Sequence, residues 1–538
     1  MSNVNVTMNL VGGSRKGKYP SQQGSDWSMN MYPEKNDSQQ YMCSVPGLKY
    51  ISQVVSDGSA FRGCYVASSG LTSEGGQQEL FAVYGSTLYR YDQSMTVHSI
   101  GTVNSLTTRV SFAESGGPRP FLYLVDGTGF YYYNIGEGGS LTQATLPEPV
   151  DDDTRNVKPT HIAVVGGIAV INDADSGYAY YTNAYPLASD TRTVYEMANG
   201  APVYESSDSV KIKTIEVSSA SYMWLDDYGV QHYFNAESSS DKISAVYAMG
   251  SALYLFGPTS VEIWQRGSDS YATWIRTSYT INTENGLAET YSITSVNNSL
   301  IYVASGKSMG KCVMGLSGTT FEHISQPWLD AKLLQATEIY GFSFSTTGHN
   351  FFVLQMSGLN ETWVYDASNS QWHQNCSLVY ATGRLTSWRV AGMAWWRQQM
   401  LAFTTDGFLE SHMNDYYYED FSSTQKLPMV RKRQTPVVVD DYKPFIFNEM
   451  SVECNVGAFD GYYETDPFLL LEVSSDGGNT FGNAVQESLG RTGQYSARVR
   501  FLGLGLNRLC VVRITYSNPT DFVVTASSNR VTATEAPI

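Results

Sequence analysis

The sequence predicts an all-β protein: a β-propeller of about seven blades, with an inserted β element and a C-terminal β-sandwich-like domain. Three observations carry this. A unit of apolar strand, tight turn, apolar strand, turn and aromatic-rich strand recurs along most of the chain, with several starts roughly 40 residues apart, the period of a propeller blade. Charged residues are only 16% while aromatics reach 13%, and Gly-rich turns are frequent, which favours strands over helices. The chain of 538 residues also exceeds what one core organises, so several domains are expected.

Residues 1–50 form an N-terminal arm and lack the repeat. They hold an alternating run from Val4 to Leu10, a Gly- and Lys-rich loop, and the segments Trp27–Glu34 and Val45–Leu48. Such an arm either contributes a strand that closes the propeller or joins the platform at the other end of the chain. Residues 51–184 hold the first blades, with copies at Glu79–Asp92, Pro120–Asn134 and His161–Asn183. The regularity breaks over residues 185–240, where Val210–Val217 and Tyr222–Phe234 do not follow the repeat order. An eighth blade competes here with an inserted hairpin or small β domain, and the lost order favours the insertion, a tip or fibre contact. Residues 241–436 resume the blades at Ala245–Gln265, Ser292–Leu316, Asn350–Gln374 and Val390–Met413, with one helix expected over Pro327–Ala336. The shift from Asp415–Asp420 to Arg431-Lys432-Arg433 and Pro436 marks a boundary, and residues 437–538 read as a C-terminal β platform domain.

A net charge of −17 argues against a duplex held through its phosphates, and suits a surface that DNA slides past. The six cysteines are scattered without zinc or redox spacing, as expected of small buried residues in a reducing compartment. Neither a signal peptide nor an apolar run of bilayer length stands out, so the expectation is a soluble product without stable membrane insertion.

Each motif that suggests chemistry has a plainer reading. Gly12–Lys18 has phosphate-loop spacing, but Tyr19 stands where a hydroxyl should bind magnesium, and Pro20 opposes the following helix. Asp173–Gly177 starts like a calcium loop, yet its twelfth position is Ala184 instead of a bidentate acid. Ser474–Phe481 resembles the Asp-box of sialidases, a hairpin turn, and it occurs once and outside the repeats. The acids Asp126, Glu262, Asp366 and Asp406 sit in repeat strands or turns. None of His98, His161, His232, His323, His349, His373 or His412 has metal-ligand spacing. The stripes Tyr131–Tyr133, Trp395-Trp396 and Tyr416–Tyr418 read as packing and interface before stacking platforms. No catalytic, cofactor or metal residue is assigned, and the protein is expected not to be an enzyme. The alternative is a carbohydrate-binding or sialidase-like propeller, which requires opposed carboxylates or an arginine cluster.

Several segments together resemble the tail hub, or packaged-DNA stabilisation protein, of short-tailed bacteriophages. They are Asn30–Glu34 with Val45–Leu48, Phe256–Trp264, Val364–Ser368 with Trp372, Ser475–Gly482, Arg498–Arg500 and Val512–Ile514, in the family's order over most of the chain. The resemblance implies a homo-hexamer below the portal and its adaptor (the head-to-tail connector protein). That ring would retain packaged DNA, form the channel for its ejection without sequence-specific binding, carry tail spikes or fibres, and be closed by a needle or plug. It implies a virion tail protein made in the host bacterial cytoplasm, with no catalytic centre.

Overall fold

A computed structural model describes residues 3–533 except 5–9, 15–25, 37–38, 56–57, 69–77, 118, 152–153, 188–190, 199–200, 208, 217–220, 237–240, 270–271, 278–284, 307–309, 347, 406, 413–416, 420–425, 439–442, 457–465 and 491–493. The repeat unit folds into seven antiparallel sheets. Blade one runs from Phe61–Ala67 to Val97–Thr102, and blade two from Ser111–Glu114 to Thr142–Ala144. Blade three pairs Ile162–Val165, Ile168–Asn172, Tyr178–Ala184 and Tyr233–Asn235, and blade four runs from Ala245–Met249 to Ala272–Arg276. In blade five the inner strand is split into Gly286–Leu287 and Thr294–Val296, both paired with Ser299–Ser305. Blade six spans Glu338–Thr346 to Gln371–Val379. Blade seven takes three strands from Val390–His412 and its fourth, Leu48–Gln53, from the N-terminal arm.

That last pairing closes the ring, and packing confirms the closure. Seven separate apolar cores each lie between two adjacent blades, including one between blades seven and one where Phe61 stacks on Phe403 at 5.5 Å. Alternate residues of each strand face opposite neighbours, so Tyr131 and Tyr133 pack toward blade one while Tyr132 packs toward blade three. The tyrosine stripe is therefore core. Trp396 and Tyr418 are buried as well, whereas Trp395 is 55% exposed.

The expected helix forms over Pro327–Leu333, shorter than Pro327–Ala336. Pro327 starts it, and Trp328, Leu329 and Leu333 fill the core between blades five and six. Trp328 lies 4.4 Å from Trp363, ring centre to ring centre.

The insertion lies inside blade three, between its third and fourth strands. The span 185–240 thus includes Tyr233–Asn235, which pairs with Tyr178–Tyr180 as the blade's own outer strand. No eighth blade forms among the described residues. The insertion consists of three small two-stranded pairings, Thr191–Tyr195 with Ile212–Glu216 the longest. Its return leg is rooted by Met223 and Trp224, both buried between blades two and three, with the Trp224 indole donating to the Thr145 carbonyl at 2.8 Å.

The C-terminal unit is a two-sheet sandwich with its own core, which includes Phe447, Val452, Leu471, Phe501 and Ile514. Its strands begin before residue 437, because Arg431–Gln434 already pairs with Val511–Tyr516.

Candidate functional site

The feature through which the two halves act together is their joint, and the N-terminal arm builds it. Trp27–Met29 lies parallel to the last strand of blade six, with Met29 opposite Gln374, and antiparallel to Arg431–Gln434. One ten-stranded sheet thereby runs from blade six, through the arm strand, into the sandwich. The arm then turns into the hairpin Met31–Asn36 and Gln39–Ser44, whose Met42 pairs with Val524 in the other platform sheet. It ends as the closing strand of blade seven. The single stretch from Trp27 to Gln53 thus contacts both platform sheets and two blades.

The side chains at the turn explain why the arm is held. Asn30 is buried with φ +53°, a conformation asparagine tolerates better than most residues. Its amide donates to the carbonyls of Cys376 (3.1 Å) and Val430 (2.9 Å), and its oxygen accepts from the Cys376 N–H (2.9 Å). One side chain thus ties arm, blade and linker. Arg433, buried in the run read from sequence as a boundary, donates to Asp26 (2.6 Å) and to the Leu10 carbonyl (2.9 Å). Arg431, also buried, donates to the Asn518 carbonyl (2.9 Å) and lies over the Tyr516 ring. The alternation of Arg431 and Arg433 about Lys432 places both guanidinium groups on the inward face. Beside the joint is a cavity of about 790 Å³, lined by arm residues such as Glu34 and Lys35 and by blade-six residues such as His349 and Gln371. The Asp366 carboxylate, 2.6 Å away, raises the pKa of His349 against the opposing effect of burial.

The residues that suggested chemistry serve structure. Asp126 is fully buried and accepts the N–H groups of Ser105, Thr128 and Gly129. Glu262 accepts the Trp264 indole, and Asp366 caps Ser368 and pairs with His349. Asp406 and the side chain of His412 lie outside the described residues. Asp173 binds Arg155, Ser176 and the Lys158 N–H, which makes its loop a polar turn. In the Asp-box, Asp476 accepts from the Ser474 hydroxyl and then from Thr480 and Asn479, and these bonds hold its carboxyl well below the usual carboxylate range. Of the phosphate-loop stretch Gly12–Lys18, residues 15–18 lie outside the described residues, and the Ser14 N–H is spent on the Trp372 carbonyl. Among the described residues no three His, Cys, Asp or Glu side chains gather as a metal site, and no helix is long and apolar enough to cross a membrane.

Residues 224–405 match the family described as Bacteriophage P22 Gp10, beta-propeller, and residues 430–532 match Bacteriophage P22 Gp10, beta-sandwich. Together they cover more than half of the chain. The chain belongs to the Gp10 family, the tail nozzle and DNA-stabilisation proteins of short-tailed phages. The two Gp10 matches fall on either side of the joint and leave the arm outside both. No curated protein matches the chain. Among solved structures, virginiamycin B lyase from Staphylococcus aureus is 10% identical, with 68% of this chain and 98% of that one covered and a TM-score of 0.39. Streptogramin B lyase (11%, 68% and 96%, 0.39) and BamB from Moraxella catarrhalis (11%, 68% and 97%, 0.30) are similarly distant. At these scores the resemblance is loose, and the roles of those proteins do not transfer.

Sequence reasoning offered ring closure and a place in the platform as alternatives for the arm, and it missed the side chains that fasten the joint. The signals were present in Asn30 of the Asn-Met-Tyr-Pro-Glu segment and in the alternating arginines.

Proposed function

We propose that this protein is the hexameric tail nozzle of a short-tailed phage. Six copies sit below the portal and adaptor, retain the packaged DNA, bound the channel through which it leaves, and anchor tail spikes or fibres, while a needle or plug closes the lower end. The platform sandwich with the arm meets the adaptor, and the insertion within 185–240 projects as a tip or fibre contact. Assembly takes place in the host bacterial cytoplasm, and the protein's role is structural.

The observation that carries this reading is the continuous sheet from blade six into the platform. A protein that resists the push of confined DNA has to pass load between its two halves, and a sheet does so through backbone hydrogen bonds on every strand. A second feature bears on where the DNA passes. The hub of the propeller is a cavity of only about 270 Å³, below the roughly 300–1,000 Å³ of a small-molecule site, whereas the major groove of a duplex alone is about 12 Å wide. The DNA path therefore lies between copies and not along the axis of one propeller. At −17 per chain, a ring of six carries about −100 formal charges, and an acidic or neutral bore repels the duplex and lets it slide.

Native mass measurement of the purified protein, with negative-stain images alone and on DNA-filled heads, tests the proposal. The expected result is a ring of six times the 59.4 kDa chain, seated at one vertex. A monomer that never joins heads would refute it, and a Lys/Arg-lined bore would refute the sliding argument.

A further inference from the structure

The hub cavity is narrow because the inner strands crowd together. A Cβ on Gly341 would lie 2.1 Å from the Ser292 carbonyl oxygen, and one on Gly392 would lie 2.7 Å from the Phe61 ring. What fills the middle is cationic. Arg62 and Arg109 line the cavity with His161, Tyr291, Thr294 and Ser343, and no carboxylate is among its lining residues.

The two arginines are held differently. Arg62 is buried and its donors are spent on the carbonyls of Ser105, Thr108 and Gly85, with Asp126 within electrostatic reach. Arg109 has neither a hydrogen bond nor an ion pair among the described residues. Its guanidinium lies over the Tyr340 ring at 4.4 Å and 5.5 Å from the centre of Phe61. Aromatic contacts of this kind engage the faces of the guanidinium and leave its N–H edge open. Nearby acids are committed elsewhere: Asp126 to its own turn, and Glu338 to the Tyr340 hydroxyl at 2.8 Å. Burial pulls the Arg109 pKa down, with Arg62 adding repulsion, so the site carries charge it does not itself balance.

We infer that the propeller hub binds a small oxyanion, a phosphate or a carboxylate, on the open edge of Arg109. The planar fork matches two oxygens of either group, and it carries the recognition, because the Thr294 hydroxyl is spent on Ser343 at 3.1 Å and the Ser343 hydroxyl on the Ser295 carbonyl. The inner strands that surround the cavity raise the value of such a pairing over a surface ion pair. This site is independent of the joint and of the nozzle assignment, since it lies within one propeller.

Isothermal titration of the full-length protein with sodium phosphate and with sodium acetate, against sodium chloride at equal ionic strength, tests it. The expected result is one saturable site per chain for phosphate or acetate and none for chloride. The tighter of the two identifies the oxyanion class. Arg109→Gln should weaken binding at least tenfold while the circular dichroism spectrum stays unchanged, and Arg384→Gln, at an exposed site, should bind as the parent does. If the glutamine variant does not fold, Arg109→Lys replaces it, and a severalfold weakening is expected because the ammonium cannot present the fork. No saturable binding of either oxyanion, equal binding of chloride, or unaltered affinity in the folded Arg109 variant would overturn the inference.

Discussion

The propeller and the joint are built on opposite plans. Each of blades one, two, four, five and six is a meander of neighbouring strands, so its hydrogen bonds are local in sequence, and only the closing strand of blade seven comes from far away. The joint's ties to blade and platform span the chain. Asn30 bonds residues 346 and 400 positions away, and Asp26 pairs with Arg433 across 407. The propeller thus needs the repeat and one closing strand to form, while the joint requires both ends of the chain to be in place. Ring stiffness and platform coupling are therefore separable properties, which mutations should affect differently.

The largest effect is expected from Arg433→Ala, which strands the Asp26 carboxylate in the interior. Removing one partner of a buried pair costs about 3–5 kcal/mol. Calorimetry should show the platform melting apart from the propeller. A single shifted transition would mean that the two halves are not coupled through this pair. Leu354→Ala, in the core between blades five and six, has a similar cost of about 2–5 kcal/mol. With the joint intact it should lower a single transition shared by both halves. If both variants gave the same melting profile, the distinction between the regions would fail.

Asn30→Ala should cost about 2 kcal/mol or more, because it leaves buried backbone groups unsatisfied and places alanine at positive φ. Asn30→Gly removes the strain but not the lost bonds, so denaturation of the two variants separates the contributions. A smaller effect is expected at His349. Its pKa is raised in the folded protein by Asp366, so the stability it contributes is fully present below about 6.5, the ordinary histidine value, and is lost as pH rises through the folded value. His349→Gln should flatten the pH dependence of stability in that window; an unchanged profile would show that the pair is energetically silent. The smallest effect is expected at Tyr204→Ser in the insertion, where a 60% exposed side chain should change stability by no more than about 0.5 kcal/mol. A large loss there would show that the insertion is packed and not projecting.

This contrast also explains what the sequence made legible. The blades could be read because alternating strands and Gly turns repeat, and turn acids such as Asp126 and Asp476 fell where hairpins require them. The split inner strand of blade five could not be read, because Ser292 replaces part of the ladder by accepting from the Val303 N–H. The helix ends three residues early, at Leu333, with Leu334 turned out to solvent at 64% exposure although Ala336 still reaches the core. Arg431 and Arg433 read as a boundary mark because nothing local shows that Asp26 and Tyr516 surround them. Pairing between distant, weakly patterned strands leaves no periodic trace, and Trp27–Met29 is only three residues long.

Backbone hydrogen exchange gives the most direct test of the central claim, that the arm welds platform and propeller into one body. The amides of Trp27–Met29 and Arg431–Gln434 should exchange as slowly as those of Val353 and Leu354 in the propeller core. Exchange as fast as in the exposed strand Tyr204–Ser206 would mean that the joint opens freely, and the two halves would then be tethered domains instead of a single load-bearing unit.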